Sequence, residues 1–281
     1  MNSSIRNALT IDVEDYFQVS AMAPHIHRDD WDGMPCRVER NVDRLLQMLA
    51  DRKVHATFFT LGWIARRYPQ MVRRMVEQGH ELASHGTAHL RASEQSPEEF
   101  AADVGDARRL LEDLGGVAVR GYRAPSFSIG YGNLWAFDVL REAGYRYSSS
   151  VYPVQHDHYG MPDASRFPWE VRPGLLEIPI TTVAAFGRNL PAGGGGYFRL
   201  APYKLSRWAI DRFNRTEAKP AIFYMHPWEI DPDQPRIAGV DWKTRFRHYV
   251  NLHRTEPRLR SLLSDFSWGR VDEVFGIAAQ E

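Results

Sequence analysis

The sequence predicts an α/β fold, a distorted (β/α) barrel of about seven strands with extra C-terminal helices. Short apolar, β-branched or aromatic runs alternate with amphipathic helical stretches some six or seven times, which implies a mostly parallel sheet with helices outside. Polar clusters follow several of the strand-like runs, where parallel barrels carry their chemistry. The length of 281 residues, 43% hydrophobic and 25% charged, is long for one domain but within the range of a single α/β barrel. Residues 1–281 therefore read as one domain with a helical extension over about 239–281.

Taken in order, Ala8 to Val13 is an apolar first strand running into the acidic cluster Asp12, Glu14, Asp15. Val38, Val42, Leu45, Leu46 and Leu49 recur at helical spacing. Val54 to Thr60, bounded by Gly62, reads as a strand, Tyr68 to Gln78 as a helix stopped by Gly79, and Glu81 to Ser84 as a third strand. Ser96-Pro97-Glu98-Glu99 opens a helix: Ser96 caps, Pro97 suits the first helical position and Glu99 completes a capping box, with Gly115-Gly116 as the stop. Val117 to Arg120, a helix near Leu134 to Ala143, and apolar runs at Leu175 to Ile180 and Ala221 to Met225 continue the alternation. Tyr152 to Trp169 reads as a long irregular loop. The glycine run from Ala192 to Tyr197 reads as a flexible segment without the lysine and spacing of a phosphate-binding loop. Trp242 to His253 and Glu256 to Leu263 read as two closing helices.

With 35 basic and 35 acidic residues, no broad electrostatic footprint for nucleic acid or an anionic membrane is expected. Cys36 is the single cysteine, so no intrachain disulfide forms. No run of about 18 apolar residues and no signal-peptide core occurs, which gives a cytoplasmic protein without a transmembrane segment as the expectation. Composition leaves the oligomeric state open.

Four clusters could carry chemistry. His85 and His89 stand four residues apart in Ser84-His85-Gly86-Thr87-Ala88-His89; on a helical turn they would share a face and one metal ion. The stretch Thr10-Ile11-Asp12-Val13-Glu14-Asp15 offers a third ligand, with another carboxylate free to take a proton from water. His226 directly follows an apolar strand, placed to protonate a leaving amine. Arg123 ends another strand, where it could orient a carboxylate before the turn fixed by Pro125.

In this order the motifs resemble those of the polysaccharide deacetylases of carbohydrate esterase family four. Thr10-Ile11-Asp12 is similar to the T-x-D start, His85-Gly86-Thr87-Ala88-His89 to H-[ST]-x-x-H, Arg123-Ala124-Pro125 to R-x-P, and Tyr224-Met225-His226 to L-x-H. The resemblance implies a deacetylase-type barrel in which Asp12 is the general base, His226 the general acid and Arg123 the residue orienting the base. It also implies that His85 and His89 bind zinc or another divalent transition metal. Three departures stand out. Gly86 replaces a hydroxyl residue, Ser148 stands where Asp is usual, and Val13 interrupts the family's adjacent aspartates. The third ligand is then Glu14, two residues on, or Asp15, which has the shorter side chain. The phrases DVEDYFQV, HDHYG, GGGYFRL and HPWE resemble a subgroup found with exosortase and exopolysaccharide systems.

By that analogy the substrate is an N-acetylated carbohydrate, a surface polysaccharide or its precursor, with Trp169, Tyr197 and Trp228 as candidate sugar-stacking surfaces. Two alternatives are a hydrolase of a small non-peptide C–N amide and a non-catalytic carbohydrate-binding subunit.

Overall fold

The computed structural model describes residues 5–155, 160–185 and 187–277. His156, Asp157, His158 and Tyr159, part of the expected irregular loop, lie outside the described residues. The strands in chain order are β1 (Arg6–Val13), β2 (Thr57–Thr60), β3 (Glu81–Ser84), β4 (Gly121–Tyr122), β5 (Tyr147–Ser148), β6 (Trp169–Arg172), β7 (Leu175–Glu177), β8 (Thr182–Ala185), β9 (Arg188–Pro191), β10 (Ile222–Met225) and β11 (Ser267–Gly269). The main sheet runs β10-β1-β2-β3-β4-β5-β7-β6, parallel throughout except for the β6–β7 hairpin at its edge. β11 also pairs with the start of β1, while β8 and β9 form a separate hairpin. The sheet curls into a half-barrel, so the expected α/β barrel is present in an open form.

Side chains of β1 alternate between two environments, as a strand covered on both faces requires. Leu9, Ile11 and Val13 join the cluster packed under the helices. Ala8 faces the other way, into an interior of Phe59, Ala83, Tyr147, Ile222 and Tyr224. Thr10 and Asp12 share that inward parity.

The helices are α1 (Val38–Arg52), α2 (Gly62–Arg67), α3 (Pro69–Glu77), α4 (Pro97–Gly115), α5 (Ala136–Glu142), α6 (Gly196–Leu200), α7 (Tyr203–Glu217), α8 (Trp242–Tyr249), α9 (Leu252–Asp265) and α10 (Val271–Val274). α4 begins with both capping-box bonds of Ser96 and Glu99 formed and ends on a left-handed Gly116. α1 buries the residues expected from its period. No helix among the described residues is long and apolar enough to cross a membrane.

Several expectations change. The strand placed at 117–120 lies instead at Gly121–Tyr122. The 68–78 helix is α3, preceded by the separate α2. α7, the β8–β9 hairpin and β11 had no counterpart in the sequence reading. The glycine run is a packed segment rather than a flexible one: Gly193 O accepts from Tyr224 N (2.7 Å) and Gly195 N donates to Tyr224 O (3.0 Å), so the run lies against β10. A Cβ on Gly194 would stand 2.1 Å from Tyr224 O, at a φ of +107°. Only glycine permits so close an approach there.

Under β5, Glu177 is fully buried and its Oε1 accepts from the Ser150 and Val151 N–H groups (2.9 and 2.8 Å). Burial pushes this carboxyl up to about 7, against the pull of those donors. The folded chain thus keeps a proton that the unfolded chain, with an ordinary Glu pKa of about 4.3, releases earlier. Glu177 should therefore withdraw stability as pH rises from about 4.3 to about 7. Glu177→Gln, which keeps an acceptor, should raise Tm on the order of 3 °C at pH 8 and change little at pH 4. Melting curves at the two pH values check this; an equal shift at both would contradict it.

Candidate active site

Loops at the C-terminal ends of β1, β3, β4 and β10 bring the candidate residues together, as a parallel barrel places them. Glu14, His85 and His89 are all buried, and one ligand atom from each lies within 4.8 Å of the others. Glu14 Oε2 stands 2.8 Å from His89 Nε2, and the imidazoles of His85 and His89 have centroids 5.5 Å apart. His85 Nδ1 lies 2.8 Å from Arg123 O. Because a carbonyl only accepts, Nδ1 carries the proton and the Nε2 lone pair is left for the cluster.

The two histidines do not occupy the expected helical turn. They sit on a loop after β3, shaped by left-handed backbone at Gly86 (φ 75°) and His89 (φ 53°). A Cβ on Gly86 would meet Asp103 Oδ2 at 2.8 Å, and Asp103 Oδ1 accepts from Thr87 N at 2.9 Å. A buried carboxylate from α4 thus occupies the space beside position 86 and pins the loop. That gives the hydroxyl-to-glycine departure a physical reason.

Asp15, weighed equally with Glu14 as the third ligand, is placed elsewhere. Its Oδ2 accepts from the Arg37 and Val38 N–H groups (2.6 and 2.9 Å) at the start of α1, and its Oδ1 accepts from Tyr16 N (2.9 Å). It caps a helix, and it is not in the cluster. Strand parity carries the signal: residues 10, 12 and 14 share one face, whereas 13 and 15 point the other way.

Asp12 and Arg123 form a buried ion pair with Nη1 donating to Oδ1 at 2.6 Å. The guanidinium also donates to Thr10 Oγ1 (2.8 Å), Ser149 O (3.1 Å) and Ser149 Oγ (2.9 Å), and lies 4.1 Å over the Phe59 ring. Every side of Arg123 is therefore fixed. Asp12 Oδ2 is turned away from it, 4.0 Å from His226 Nε2. His226 Nε2 also lies 3.4 Å from Glu14 Oε1.

The charges reinforce one another. Burial disfavours the Glu14 carboxylate, but His89, His226 and His85 overcome this and hold it at about 2. Burial lowers His85 to about 4, so its ring is neutral near pH 7. Burial also works against a charged His226, yet Glu14, Glu229 and Asp12 raise it to about 9.

Two groups beside His226 were not anticipated. Glu229 Oε1 accepts from both the backbone N–H (3.0 Å) and ring Nδ1 (2.7 Å) of His226, and Arg199 Nε donates to Glu229 Oε2 at 2.7 Å. The His-Pro-x-Glu spacing carries a capping-box signal for Glu229; Arg199 has no local signal. Trp228, a candidate sugar platform, is instead buried between His226 and His248, with centroids 5.2 and 4.3 Å away, and donates Nε1–H to Glu14 Oε1 at 3.3 Å. It braces the cluster and is closed to a sugar.

The carboxylate and two imidazoles suit a divalent transition metal. Glu14 Oε2 is buried and faces only the His89 ring nitrogen, 2.8 Å away, so a ligand oxygen and a ligand nitrogen already point at one another. The donor set fits the group that the sequence resemblance implies.

Residues 29–148 match the family described as polysaccharide deacetylase, and residues 149–276 match a domain of unknown function, DUF3473. Similar curated proteins include a peptidoglycan-N-acetylglucosamine deacetylase of Bacillus cereus, 33% identical over 103 residues, covering 37% of this chain and 46% of that protein. A chitooligosaccharide deacetylase of Sinorhizobium fredii is 39% identical over 97 residues, covering 34% and 42%. The chain thus spans under half the length of these two relatives. Among solved structures, a candidate polysaccharide deacetylase from Mycobacterium smegmatis superposes with a TM-score of 0.61 at 19% identity, covering 95% of this chain and 88% of that one. A pseudoenzyme of carbohydrate esterase family four from Bacillus anthracis gives 0.51 at 14%, covering 98% and 66%. At these identities the likeness is one of fold.

Proposed function

The chain belongs to the polysaccharide deacetylase family, carbohydrate esterase family four, and on that premise we propose that it is a metal-dependent hydrolase removing N-acetyl groups from a polysaccharide or its precursor. The observation that carries this reading is the convergence of Glu14, His85 and His89 beside an Arg-held Asp12 and a carboxylate-flanked His226. The whole chain acts as one catalytic domain, since β1 and β10, neighbours in the sheet, contribute opposite sides of the site. The place in exopolysaccharide synthesis rests on the sequence resemblance alone.

Glu14, His85 and His89 would hold a divalent cation, zinc or a similar transition metal, which would supply Lewis acidity toward water and the acyl oxygen. Asp12 Oδ2 accepts a proton from the attacking water, while Arg123 holds Oδ1 and keeps the carboxylate aimed. The hydroxyl joins the acyl carbon, the C–N bond breaks, and His226 Nε2 gives its proton to the departing sugar nitrogen. Acetate and a free amine are the products.

The test is acetate release from N-acetylated chito-oligosaccharides, run beside ring opening of cyclic amides. The expected result is one amine freed per acetate, activity lost on chelation and restored by zinc or cobalt. Ring opening without acetate would favour the small-amide alternative. Bound sugar with neither metal nor turnover would favour a non-catalytic subunit.

A further inference from the structure

The part of the site that holds His226 belongs to residues 149–276, the segment matched to a domain of unknown function. We propose that Arg199 and Glu229, both from this segment, are positioning residues for proton delivery: Arg199 fixes Glu229, and Glu229 fixes the His226 ring with Nε2 facing Asp12 and Glu14. The proposal deepens the deacetylase reading and rests on it.

Glu229 and Arg199 are both buried, at 1% and 4% exposure. Glu229 Oε1 takes two bonds from one residue, the His226 backbone N–H and ring Nδ1. An ionised carboxylate only accepts, so Nδ1 is the donor and is committed to this bond. Nε2 is left as the nitrogen able to face the reacting groups. The second oxygen of Glu229 is held by Arg199 Nε at 2.7 Å, which stops the carboxylate from turning away.

Arg199 is itself anchored on several sides. Its Nη1 donates to the carbonyls of Arg247 (3.0 Å) and His248 (2.7 Å), with Val250 O at 3.4 Å, around the end of α8. A cation is favoured at a helix C-terminus, where carbonyls lack partners. Its guanidinium also lies 5.0 Å from the Trp228 ring centroid, against the plate stacked on His226. The glycine run delivers it there: its close approach to β10 brings α6, and Arg199 with it, to the back of the site.

A buried ion pair is poor evidence for stability, because desolvation offsets attraction. Here the pair instead removes rotational freedom from the one ring that must meet a departing nitrogen. The carboxylate beside Nδ1 is that of Glu229, three residues along the same turn.

The experiment compares two substrates in the full-length, metal-loaded protein. Hydrolysis of an N-acetyl sugar needs a proton on the leaving nitrogen, whereas 4-nitrophenyl acetate releases a phenolate that needs none. Glu229→Gln is expected to lower kcat on chito-oligosaccharides by about 10- to 100-fold with KM changed less than about threefold, and to leave the aryl-ester rate within about threefold. Arg199→Lys, which keeps the charge but loses the forked geometry, should fall in the same direction by a smaller factor. Equal losses on both substrates would overturn the proposal, because misfolding or a damaged cation site affects both. Ring N–H proton spectra judge the proposal separately from turnover. A downfield ring signal removed by His226→Ala should also vanish in Glu229→Ala, and its persistence there would overturn the proposal. A wild-type protein that releases no acetate while keeping that signal pattern would count against the deacetylase reading and leave the positioning intact.

Discussion

Asp12→Asn is expected to lower deacetylation by about 10²- to 10⁴-fold while the cation stays bound. Asn keeps an oxygen for the Arg123 guanidinium but places an amide where Oδ2 now stands, and an amide accepts no proton at neutral pH. Asp12 lies outside the Glu14–His85–His89 group, so metal content should remain near one per chain. The substitution also leaves Arg123 buried without its carboxylate, although Thr10 Oγ1, Ser149 O and Ser149 Oγ still receive its N–H groups. Some loss of Tm is therefore expected alongside the loss of rate. Acetate release and elemental analysis on the same sample check the claim. Turnover within about tenfold of the unaltered protein would remove Asp12 from the base role.

Glu14→Gln should instead empty the site, weakening the cation by at least about 100-fold and taking deacetylation with it. Glu14 is the one carboxylate in a cluster with two imidazoles, held ionised at about 2 by the histidines around it. A neutral amide supplies neither that charge nor a comparable donor to a divalent ion. Asp15→Asn makes the contrasting prediction: one cation retained, with reduced stability because the start of α1 loses a charged cap. Equal metal loss in both variants would show that the acidic stretch acts as a whole. Metal loss in Asp15→Asn alone would reverse the assignment.

How much of this was legible in the sequence depends on how local each signal is. The α1 and α4 helices announce themselves through period and caps, and β1, β3 and β10 through short apolar runs, because those patterns sit within a dozen residues. Motif order located Asp12, His85, His89, Arg123 and His226 in the same way. Spacing alone left Glu14 and Asp15 level, since both follow Asp12 closely; the parity of β1 separates them once the strand's inner face is known. The spacing of His85 and His89 suggests a helical turn, whereas the left-handed backbone at His89 that makes it a loop leaves no mark on residue type. Arg199, the packing of the glycine run on β10 and the return of β11 to β1 depend on contacts far apart in the chain, and no window of sequence contains them.

The site is also divided between two segments with different family matches. Glu14 and Asp12 precede residue 29, His85, His89 and Arg123 fall within 29–148, and His226 with its partners falls within 149–276. Shared sheet pairing, β1 between β10 and β2, is what makes one site of them.

The most direct test is an anomalous-diffraction map of crystals grown with zinc, recorded at the zinc absorption edge. The expected map has one strong peak bounded by Glu14 Oε2 and a ring nitrogen from each of His85 and His89, with Asp12 beside it and the Asp15 carboxylate still on the α1 amides. A peak on Asp15, or a strong peak remote from these three side chains, would contradict the account.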